Sequence, residues 1–486
     1  MKLNHKQILA FIFLLTLAFR LYFAFSQQSY SSDESYFHLR LIDYIKENKL
    51  PMFYDEFSYG GQEIFYPQLF HILIAILSLI PFALKIIPAL IASSLVIIIY
   101  LIAKKITNDT KSSLLTAFLA AFIPIEIHNS VNQISIYSFI IPLILVLYLC
   151  LMNLEEKKYF NLFLILSFLL PLIHPVSLLF IFSLVFYLIL ANTESLFISR
   201  YKREAIIFSF FIILLINFLI YRNLFLKFGF GIIWQNIPTY LFSIYFKNIN
   251  LFESIYLIGA LPLILGSLGI FFGLFKQKDN SIIVLTAAIL ATLLLLSLKI
   301  LNIQIGILFL GIFLVIISSS TISKIYNYIT LTKFSKLKKY ITYLVIILII
   351  GLSLIPSYFV AKDLPNYNNQ VNSFLWVKEN TPLTAIVIAP VELGNILTSV
   401  AKRKNIIDNN FLLARNTEER LNDVNLIYTT TLEVKALESL NKYGANYIYF
   451  DSYVRNKYNL TKLKYFEYEA EKCFEEIKND VYKVLC

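Results

Sequence analysis

Long apolar runs recur along the first three quarters of the chain. Of its 486 residues, 58% are hydrophobic, and the mean hydropathy is +0.70. Many of the runs approach the roughly 20 residues that a helix needs to cross a bilayer. A chain with this pattern is predicted to be a polytopic α-helical membrane protein that is embedded in the lipid bilayer.

The first apolar run and the residues after it set the predicted orientation. The run Gln7–Phe25 follows Lys2 and Lys6 and lacks a small-residue cleavage site, which predicts a retained first span with a cytoplasmic amino end. Arg20 is expected to extend to the outer interface. Residues 26–66 then carry seven acids against three basic residues, which predicts an acidic first outer loop.

The next apolar run, between Pro67 and Pro81, is only about fourteen residues long and is more typical of a re-entrant segment. If it does not cross, Lys104, Lys105 and Lys111 fall inside, as the positive-inside rule prefers. With that choice the sequence predicts about eleven spans in a transmembrane domain of residues 1–361. The ten after the first lie near 84–103, 112–128, 134–152, 159–173, 175–192, 204–221, 255–275, 281–298, 301–319 and 341–361.

Hydrophobicity falls from Lys362 onward, where sixteen basic residues balance sixteen acidic ones. Residues 362–486 are therefore predicted to form a soluble, outward-facing α/β domain with a parallel sheet. A final hairpin is expected to turn at Asn479-Asp480. The predicted strands are 385–389, 405–408, 425–428, 446–450, 473–478 and 480–485, and the predicted helices are 368–379, 391–402 and 432–442.

Charge and cysteine usage exclude other classes of protein. The net charge of +11 comes from short basic clusters between apolar runs, which is typical of cytoplasmic loops, so no nucleic-acid partner is predicted. Cys150, Cys473 and Cys486 form neither a disulfide framework nor a zinc-binding spacing. The last two could pair if their domain faces an oxidising compartment.

The stretch Ser31–Arg40, S-S-D-E-S-Y-F-H-L-R, follows the first span and places charge at a membrane surface. Asp33 and Glu34 could act as a general base or as metal ligands. His38 follows within a turn or two of a short helix, and Arg40 could hold a phosphate. The alternative is a solvated loop of ordinary charged residues.

This arrangement resembles the GT-C superfamily of membrane glycosyltransferases, and most closely the archaeal-type catalytic subunit of oligosaccharyltransferase. That family carries D-P-W-Y-H-Y-R in its first outer loop, where this chain has E-S-Y-F-H-L-R from Glu34 to Arg40. Other GT-C enzymes carry an Asp-Glu pair, which Asp33 and Glu34 also fit. The resemblance therefore leaves the position of the key acid ambiguous by one residue.

A second part of the resemblance lies in the predicted outer domain. The run W-V-K-E-N-T-P from Trp376 to Pro382 matches the family's W-x-x-E-N-T-P, and P-V-E-L-G from Pro390 to Gly394 stands where the family has W-W-D-Y-G. Arg403 and D-N-N-F from Asp408 to Phe411 match further along. The resemblance thus makes Glu392 and Arg403 candidate substrate-binding residues.

The acceptor element departs from the family pattern. Its two tryptophans are replaced by Pro390 and Val391, which offer neither an indole N–H nor a stacking surface. In the family this element binds the hydroxyl residue of the Asn-x-Ser/Thr acceptor. Binding of that acceptor is therefore not expected here. The family also twists its acceptor amide with two sets of carboxylates, and the loss of one set, in the second outer loop, predicts a hydroxyl acceptor such as another sugar.

The metal-binding pattern departs as well. The family has an acidic pair in the second outer loop, but the corresponding positions here are Ile136 and Ser138. Asp33, Glu34 and Glu126 remain as candidate oxygen ligands, with His128 as a possible nitrogen donor, and a divalent cation prefers several oxygens. No cofactor is therefore expected to be required, with Mn²⁺ or Mg²⁺ as the alternative.

What the resemblance implies for the reaction is transfer of a sugar from a polyprenyl-phosphate donor. Asp33 is predicted to be the general base, with Glu34 as the alternate. His38, Arg40, His174 and Arg222 are candidates for binding the donor phosphate. The alternatives are a hydrogen-bonded structural role for His38, a helix-end role for His174 beside Pro175, and a snorkelling role for Arg222.

Two other functions stay open. One is a non-catalytic GT-C relative that binds a lipid-linked glycan or a partner, and the other is an oligosaccharyltransferase with an altered acceptor motif. A transporter is a weaker option, because transporters usually carry ionisable residues at mid-membrane depth. In every case the expected location is the cell membrane, with a cytoplasmic amino terminus and an extracellular carboxyl-terminal domain.

Overall fold

The computed structural model of the protein describes residues 4–78, 80, 82–246, 250–333, 338–467, 473–478 and 480–486. Lys2, Pro81 and Asn479, on which three of the expectations above depend, lie outside these residues.

The first 362 residues are mostly helical. Their helices are α1 His5–Ser26, α2 Asp33–Asn48, α3 Leu69–Leu77, α4 Ala83–Thr107, α5 Thr110–Ala120, α6 Pro124–His128, α7 Ile136–Met152, α8 Lys157–Leu169, α9 Ser177–Thr193, α10 Arg200–Phe228, α11 Thr239–Tyr245, α12 Leu251–Ile258, α13 Ala260–Phe272, α14 Asn280–Ser297, α15 Ile303–Leu331, α16 Lys338–Ile349 and α17 Ile355–Lys362. A short antiparallel pair, β1 Tyr54–Asp55 and β2 Gln62–Glu63, lies in the first outer loop.

Seven helical segments are long and apolar enough to cross a membrane, which confirms a polytopic helical protein. They are His5–Ser26, Ala83–Thr107, Arg200–Trp234, Ala260–Gln277, Asn280–Ser297, Ile303–Leu331 and Lys339–Lys362.

The other four predicted spans correspond to shorter or interrupted helices. The predicted span 112–128 is divided between α5 and α6, because the chain breaks its helix before Pro124, which lacks the N–H that a helix interior requires. The remaining three correspond to α7, α8 and α9.

The apolar run after Pro67 forms only the nine-residue helix α3. Nine residues rise about 14 Å, roughly half of a 30 Å hydrocarbon core. Phe70, His71 and Ile74 on α3 are buried in the protein. The length of α3 is therefore that of a segment that does not cross.

Helix α15 lies at the centre of the membrane-type domain, with 94% of its most apolar window buried. Helix α13 approaches it closely at Gly266 and Gly269, where an added Cβ would lie 2.7 Å from the carbonyl oxygens of Leu314 and Ile317. Small residues allow this close contact between two apolar helices.

The domain of residues 362–486, named the outer domain for its predicted position, contains a small mixed sheet, so the expected parallel sheet is wrong. Strand β3 Val387–Ile388 pairs in parallel with β4 Tyr447–Tyr449, but β4 pairs antiparallel with β6 Val481–Val484, which pairs antiparallel with β5 Phe474–Lys478. The two strands of the predicted final hairpin are present and paired. The helices of the domain are α18 Asn368–Asn380, α19 Gly394–Ile396, α20 Thr417–Thr429, α21 Glu433–Tyr443 and α22 Ser452–Tyr458.

Two predicted strands are wrong. Residues 425–428 lie in α20, where Leu421, Val424 and Tyr428 are buried at the three-to-four-residue spacing of a helix. Residues 405–408 form no strand, and only an isolated parallel bridge joins Ile386 to Lys404. The side chains of Asn405 and Asp408 instead contact the first outer loop.

The outer domain and the first outer loop share one hydrophobic core. Tyr36, Tyr59 and Leu241 are buried among the apolar side chains of the outer domain. Ser58 Oγ donates to Asp408 Oδ2 at 2.7 Å, and Asn405 Oδ1 accepts from the backbone N–H of Tyr59 at 2.7 Å. The loop is thereby fixed against the domain.

Two of the three cysteines form a disulfide, and the third is a free thiol. Cys473 and Cys486 form a disulfide that ties β5 to the carboxyl end, with 4.9 Å between their Cα atoms. Cys150 is free and buried in α7.

Candidate active site

Asp33 and Glu34 form the first turn of α2, directly after the first long apolar helix. Two acids in the first turn favour the helix, because the unpaired N–H groups there carry partial positive charge. Their side chains point to different surroundings, and that difference distinguishes their roles.

Asp33 is buried and is hydrogen-bonded to the outer domain. Its Oδ1 accepts from the backbone N–H groups of Asn395 at 3.1 Å and Ile396 at 3.0 Å. Its Oδ2 accepts from Asn395 Nδ2 at 2.8 Å and Asn409 Nδ2 at 3.2 Å. Burial raises the pKa of Asp33 to about 8, against the opposing effect of these donors. With both oxygens occupied, Asp33 joins the first loop to the outer domain.

Glu34 is the accessible acid of the pair. Its side chain is 61% exposed, and its Oε1 lies 3.6 Å from His38 Nε2 one turn along α2. Partial desolvation by the surrounding protein would raise the pKa of Glu34, but interaction with His38 and then with His174 lowers it overall. Glu34 is therefore ionised at neutral pH and able to accept a proton.

His38 lies between Glu34 and a second histidine, His71 on α3. His38 Nδ1 and His71 Nε2 are 2.9 Å apart, and both rings are buried. If His71 Nε2–H donates this hydrogen bond, His38 carries its own proton on Nε2, facing Glu34. No local pattern marks His71 as a site residue, because it is a single polar residue in an apolar run.

His174 is close enough to Glu34 and His38 to interact with both electrostatically. Burial lowers the pKa of His174 to about 4, so the ring is neutral at pH 7. The backbone N–H of Val176 donates to His174 Nδ1 at 3.1 Å. The remaining proton is therefore on Nε2, where it can be donated to an anion.

Arg40, predicted to bind phosphate, is buried and already paired. Its guanidinium forms a 2.7 Å ion pair with Asp55 of β1 and donates to Thr398 Oγ1 of the outer domain. Because removing one partner of a buried ion pair is costly, Arg40 is held in place as a structural link.

The Arg403 guanidinium is likewise fully hydrogen-bonded within the protein. Its five N–H groups donate to Thr381 Oγ1 and to the carbonyl oxygens of Lys378, Thr381, Ala401 and Lys402, at 2.7 to 3.1 Å. These contacts hold the carboxyl end of α18, which contains the matched W-V-K-E-N-T-P run. The guanidinium has no donor left for a substrate.

Glu392 and Arg222 are less enclosed. Glu392 forms a 2.5 Å ion pair with Lys457 of α22, and its side chain is 34% exposed. Arg222 is exposed on α10 and has no hydrogen-bond or ion-pair partner in the part of the chain that the structure describes.

Glu126, the third candidate metal ligand, is buried and forms an ion pair with Arg20, which also donates to Ser130 Oγ. Arg20 therefore does not extend to the interface. Asp33 is fully hydrogen-bonded to the outer domain, so of the three candidate ligands only Glu34 keeps an accessible carboxylate. Among the described residues, no group of three or more His, Cys, Asp and Glu side chains is arranged to hold a metal ion.

The P-V-E-L-G element packs closely against Ile407 and Asp408 of its own domain. Gly394 lies against the carbonyl of Ile407 and the side chain of Asp408, where a Cβ would not fit. This approach brings Asn395 to Asp33. Asn395 and Asn409 are contact residues that the sequence did not single out, although each lies within or next to a matched motif.

The fold has known relatives among solved structures. No family model and no curated protein matches the sequence. The Archaeoglobus fulgidus oligosaccharyltransferase with a tethered acceptor peptide matches with a TM-score of 0.67 at 16% identity, over 92% of this chain and 69% of that one. The chain has the GT-C fold.

Two further structures with the GT-C fold support the match. The same archaeal enzyme, AglB, in complex with an inhibitory peptide and a dolichol-phosphate gives a TM-score of 0.68 at 15% identity, over 91% of this chain and 69% of that one. The mycobacterial arabinofuranosyltransferase AftD gives 0.55 at 14% identity, over 92% of this chain but only 35% of AftD.

Proposed function

We propose that the chain is a membrane glycosyltransferase that takes a sugar from a polyprenyl-phosphate donor and transfers it to a hydroxyl acceptor. The observation that supports this most is the position of Glu34, an accessible, ionised acid beside His38 in the first outer loop. The similar solved structures support a polyprenyl-phosphate donor, since one of them was determined with a dolichol-phosphate.

Glu34, rather than Asp33, is the proposed general base. It accepts the proton of the incoming hydroxyl as the acceptor oxygen attacks the anomeric carbon. The bond from that carbon to the donor phosphate breaks on the opposite face, so configuration at this carbon inverts. Asp33 cannot share this role without losing hydrogen bonds to the outer domain.

The departing phosphate requires hydrogen-bond donors or cations. His174 can supply the proton on its Nε2, and Arg222 retains a free guanidinium among the described residues. Arg40 and Arg403 contribute indirectly, by holding the loop and the outer domain together. No metal ligand set takes part in this proposal.

Replacement of Glu34 by Gln tests the proposed base. Gln removes the proton acceptor with little change of shape, so turnover in a transfer assay with a polyprenyl-phosphate-linked sugar should fall about a hundredfold or more, with an unchanged melting temperature. Exposed Glu438, changed to Gln, serves as the matched control. Full turnover in the Glu34→Gln variant would remove the proposed base.

The same assay separates the remaining alternatives. A non-catalytic GT-C relative would bind donor without any turnover of the wild-type chain. An oligosaccharyltransferase with an altered acceptor motif would glycosylate asparagine in a peptide in preference to a hydroxyl acceptor. Turnover that is lost with a chelator and restored by Mn²⁺ or Mg²⁺ would replace the metal-free proposal.

The proposed location is the cell membrane, with the amino terminus inside and residues 362–486 outside. The disulfide between Cys473 and Cys486 supports an outside position for this domain, because disulfides persist in oxidising compartments.

A further inference from the structure

A second candidate binding site lies away from Glu34, between the end of α10 and the start of α20. It is a cavity of about 560 Å³, open to the surface. Its volume is in the range of small-molecule binding sites, roughly 300 to 1,000 Å³. The cavity is lined by Lys227, Phe228, Asn236, Thr239, Arg415 and Glu418, among others.

The two walls of the cavity are joined by hydrogen bonds. Asn236 Nδ2 donates to the carbonyl oxygen of Leu412 at 2.8 Å, and Thr417 Oγ1 donates to the carbonyl oxygen of Asn236 at 2.8 Å. The backbone N–H and hydroxyl of Thr239 donate to the Glu418 carboxylate at 2.6 and 2.8 Å. The cavity is therefore preformed, which lowers the entropic cost of binding.

Two charged groups that line the cavity have no ion-pair partner among the described residues, the Arg415 guanidinium and the Glu418 carboxylate. Lys227 is paired with Glu63 of β2, and the Glu418 carboxylate is occupied by Thr239. Arg415 is exposed and has no ion pair or hydrogen bond within the described ranges. A free guanidinium is suited to a carboxylate or phosphate, which it can bind through two parallel N–H···O bonds.

The other lining groups suit a sugar ring. The half-buried ring of Phe228 provides an apolar face. Asn236 Oδ1 and Thr239 Oγ1, whose donor groups are used between the walls, can accept hydrogen bonds from sugar hydroxyls. A small ion alone would leave most of the volume unfilled. The cavity therefore favours a ligand that combines an anionic group with a polar ring.

We propose that this cavity binds an acidic sugar residue, with its carboxylate or phosphate on Arg415 and its ring against Phe228. Such a residue could belong to the glycan of the donor or to the acceptor, and both sources share this chemistry. The inference rests on the proposed glycosyl transfer only for the origin of the ligand, because binding can be measured without turnover.

Binding to the purified full chain in detergent tests the proposal. The probe is a disaccharide that ends in glucuronic acid, compared with the same disaccharide ending in glucose. The acidic probe should bind about tenfold tighter or more, and Arg415→Ala should remove that difference, with Arg415→Lys intermediate. Lys435→Ala, which changes an exposed cation on α21, should leave binding unchanged. Equal affinity for the two probes, or unchanged binding by the Arg415→Ala variant, would overturn the proposal.

Kinetics with acidic substrates then distinguish the source of the sugar. A KM increase for the donor alone in the Arg415→Ala variant would assign the cavity to the donor glycan, and an increase for the acceptor alone would assign it to the acceptor. Loss of binding with no change in either KM would contradict a role in transfer. The Glu34→Gln variant should bind the acidic probe as the wild type does. Turnover of the Glu34→Gln variant therefore tests the proposed base, and acidic-probe binding by the Arg415→Ala variant tests the cavity separately.

Discussion

Asn395 Nδ2 donates to Asp33 Oδ2 at 2.8 Å, and the Asn395 backbone N–H donates to Oδ1 of the same carboxylate at 3.1 Å. These two bonds join the amino end of α2 to the P-V-E-L-G element of the outer domain. An acid that resembles a catalytic residue in sequence thereby holds the two parts of the protein together.

Changing Asp33 to Asn should destabilise the protein. Above the Asp33 pKa of about 8 the carboxylate is ionised and all four N–H donors face an oxygen. Under those conditions the Asn amide would place an NH₂ group against two of them, leaving buried donors unsatisfied at a cost of about 1–3 kcal/mol. The melting temperature of the purified protein in detergent should fall. The same substitution at exposed Asp363 is the control, and an unchanged melting temperature together with abolished turnover would instead support Asp33 as the base.

The sequence was sufficient to predict a polytopic helical protein, because the signal of an apolar span is local. Apolar runs and basic clusters are read directly from composition, and the structure confirms a polytopic helical protein. The runs around α7, α8 and α9 gave the same signal, although their helices have only 13 to 17 residues.

The outer-domain sheet was less predictable because its strands are only two to five residues long. The β-branched and aromatic residues at 425–428 suggested a strand, but Leu421 and Val424 extend a helical pattern through them. Asn405 and Asp408 are fixed by contacts with Tyr59 and Ser58, more than 340 residues away in the chain. No local pattern carries that information.

The site residues, like the fold, could be predicted only in part from the sequence. The motif located the correct stretch, but it could not decide between Asp33 and Glu34, because neighbouring residues on a helix point in different directions. Only the position of the outer domain shows which acid is enclosed. The same holds for Arg40 and Arg403, whose partners are not visible in the sequence.

Replacing His71 by Leu should weaken catalysis without removing the base. The change deletes the group 2.9 Å from His38 Nδ1, so the proton of His38 is no longer directed to Nε2. Loss of one hydrogen bond of this kind corresponds to a fall in kcat of about three- to tenfold, with KM for the donor little changed. His71→Gln, whose amide can donate to the same nitrogen, should retain most of the rate. Equal losses in both variants would indicate a packing role only.

The pH profile of turnover should report the environment of Glu34. Since His38 and His174 lower its pKa below the ordinary value of 4.5, the base should stay ionised down to that pH. The wild-type rate should therefore show no acidic limb from Glu34 between pH 5 and 8. In a His38→Leu variant, His38 no longer opposes the desolvation that raises the pKa of Glu34. The acidic limb of the pH–rate profile should therefore move to higher pH. A limb at the same pH in both proteins would mean that His38 does not act on Glu34.

The proposed orientation makes a combined prediction for the disulfide and for surface labelling. Denatured wild-type protein, isolated without reductant, should react with a bulky maleimide at Cys150 only, and all three cysteines should react after reduction.

In a Cys150→Ser background, single cysteines at exposed Lys111 and Lys462 should be labelled from inside and outside intact cells, respectively. This follows because α3 is too short to cross, which leaves the basic cluster near Lys104 on the cytoplasmic side. Labelling of position 111 from outside, or protection of position 462, would invert the topology, and the candidate site would then face the cytoplasm.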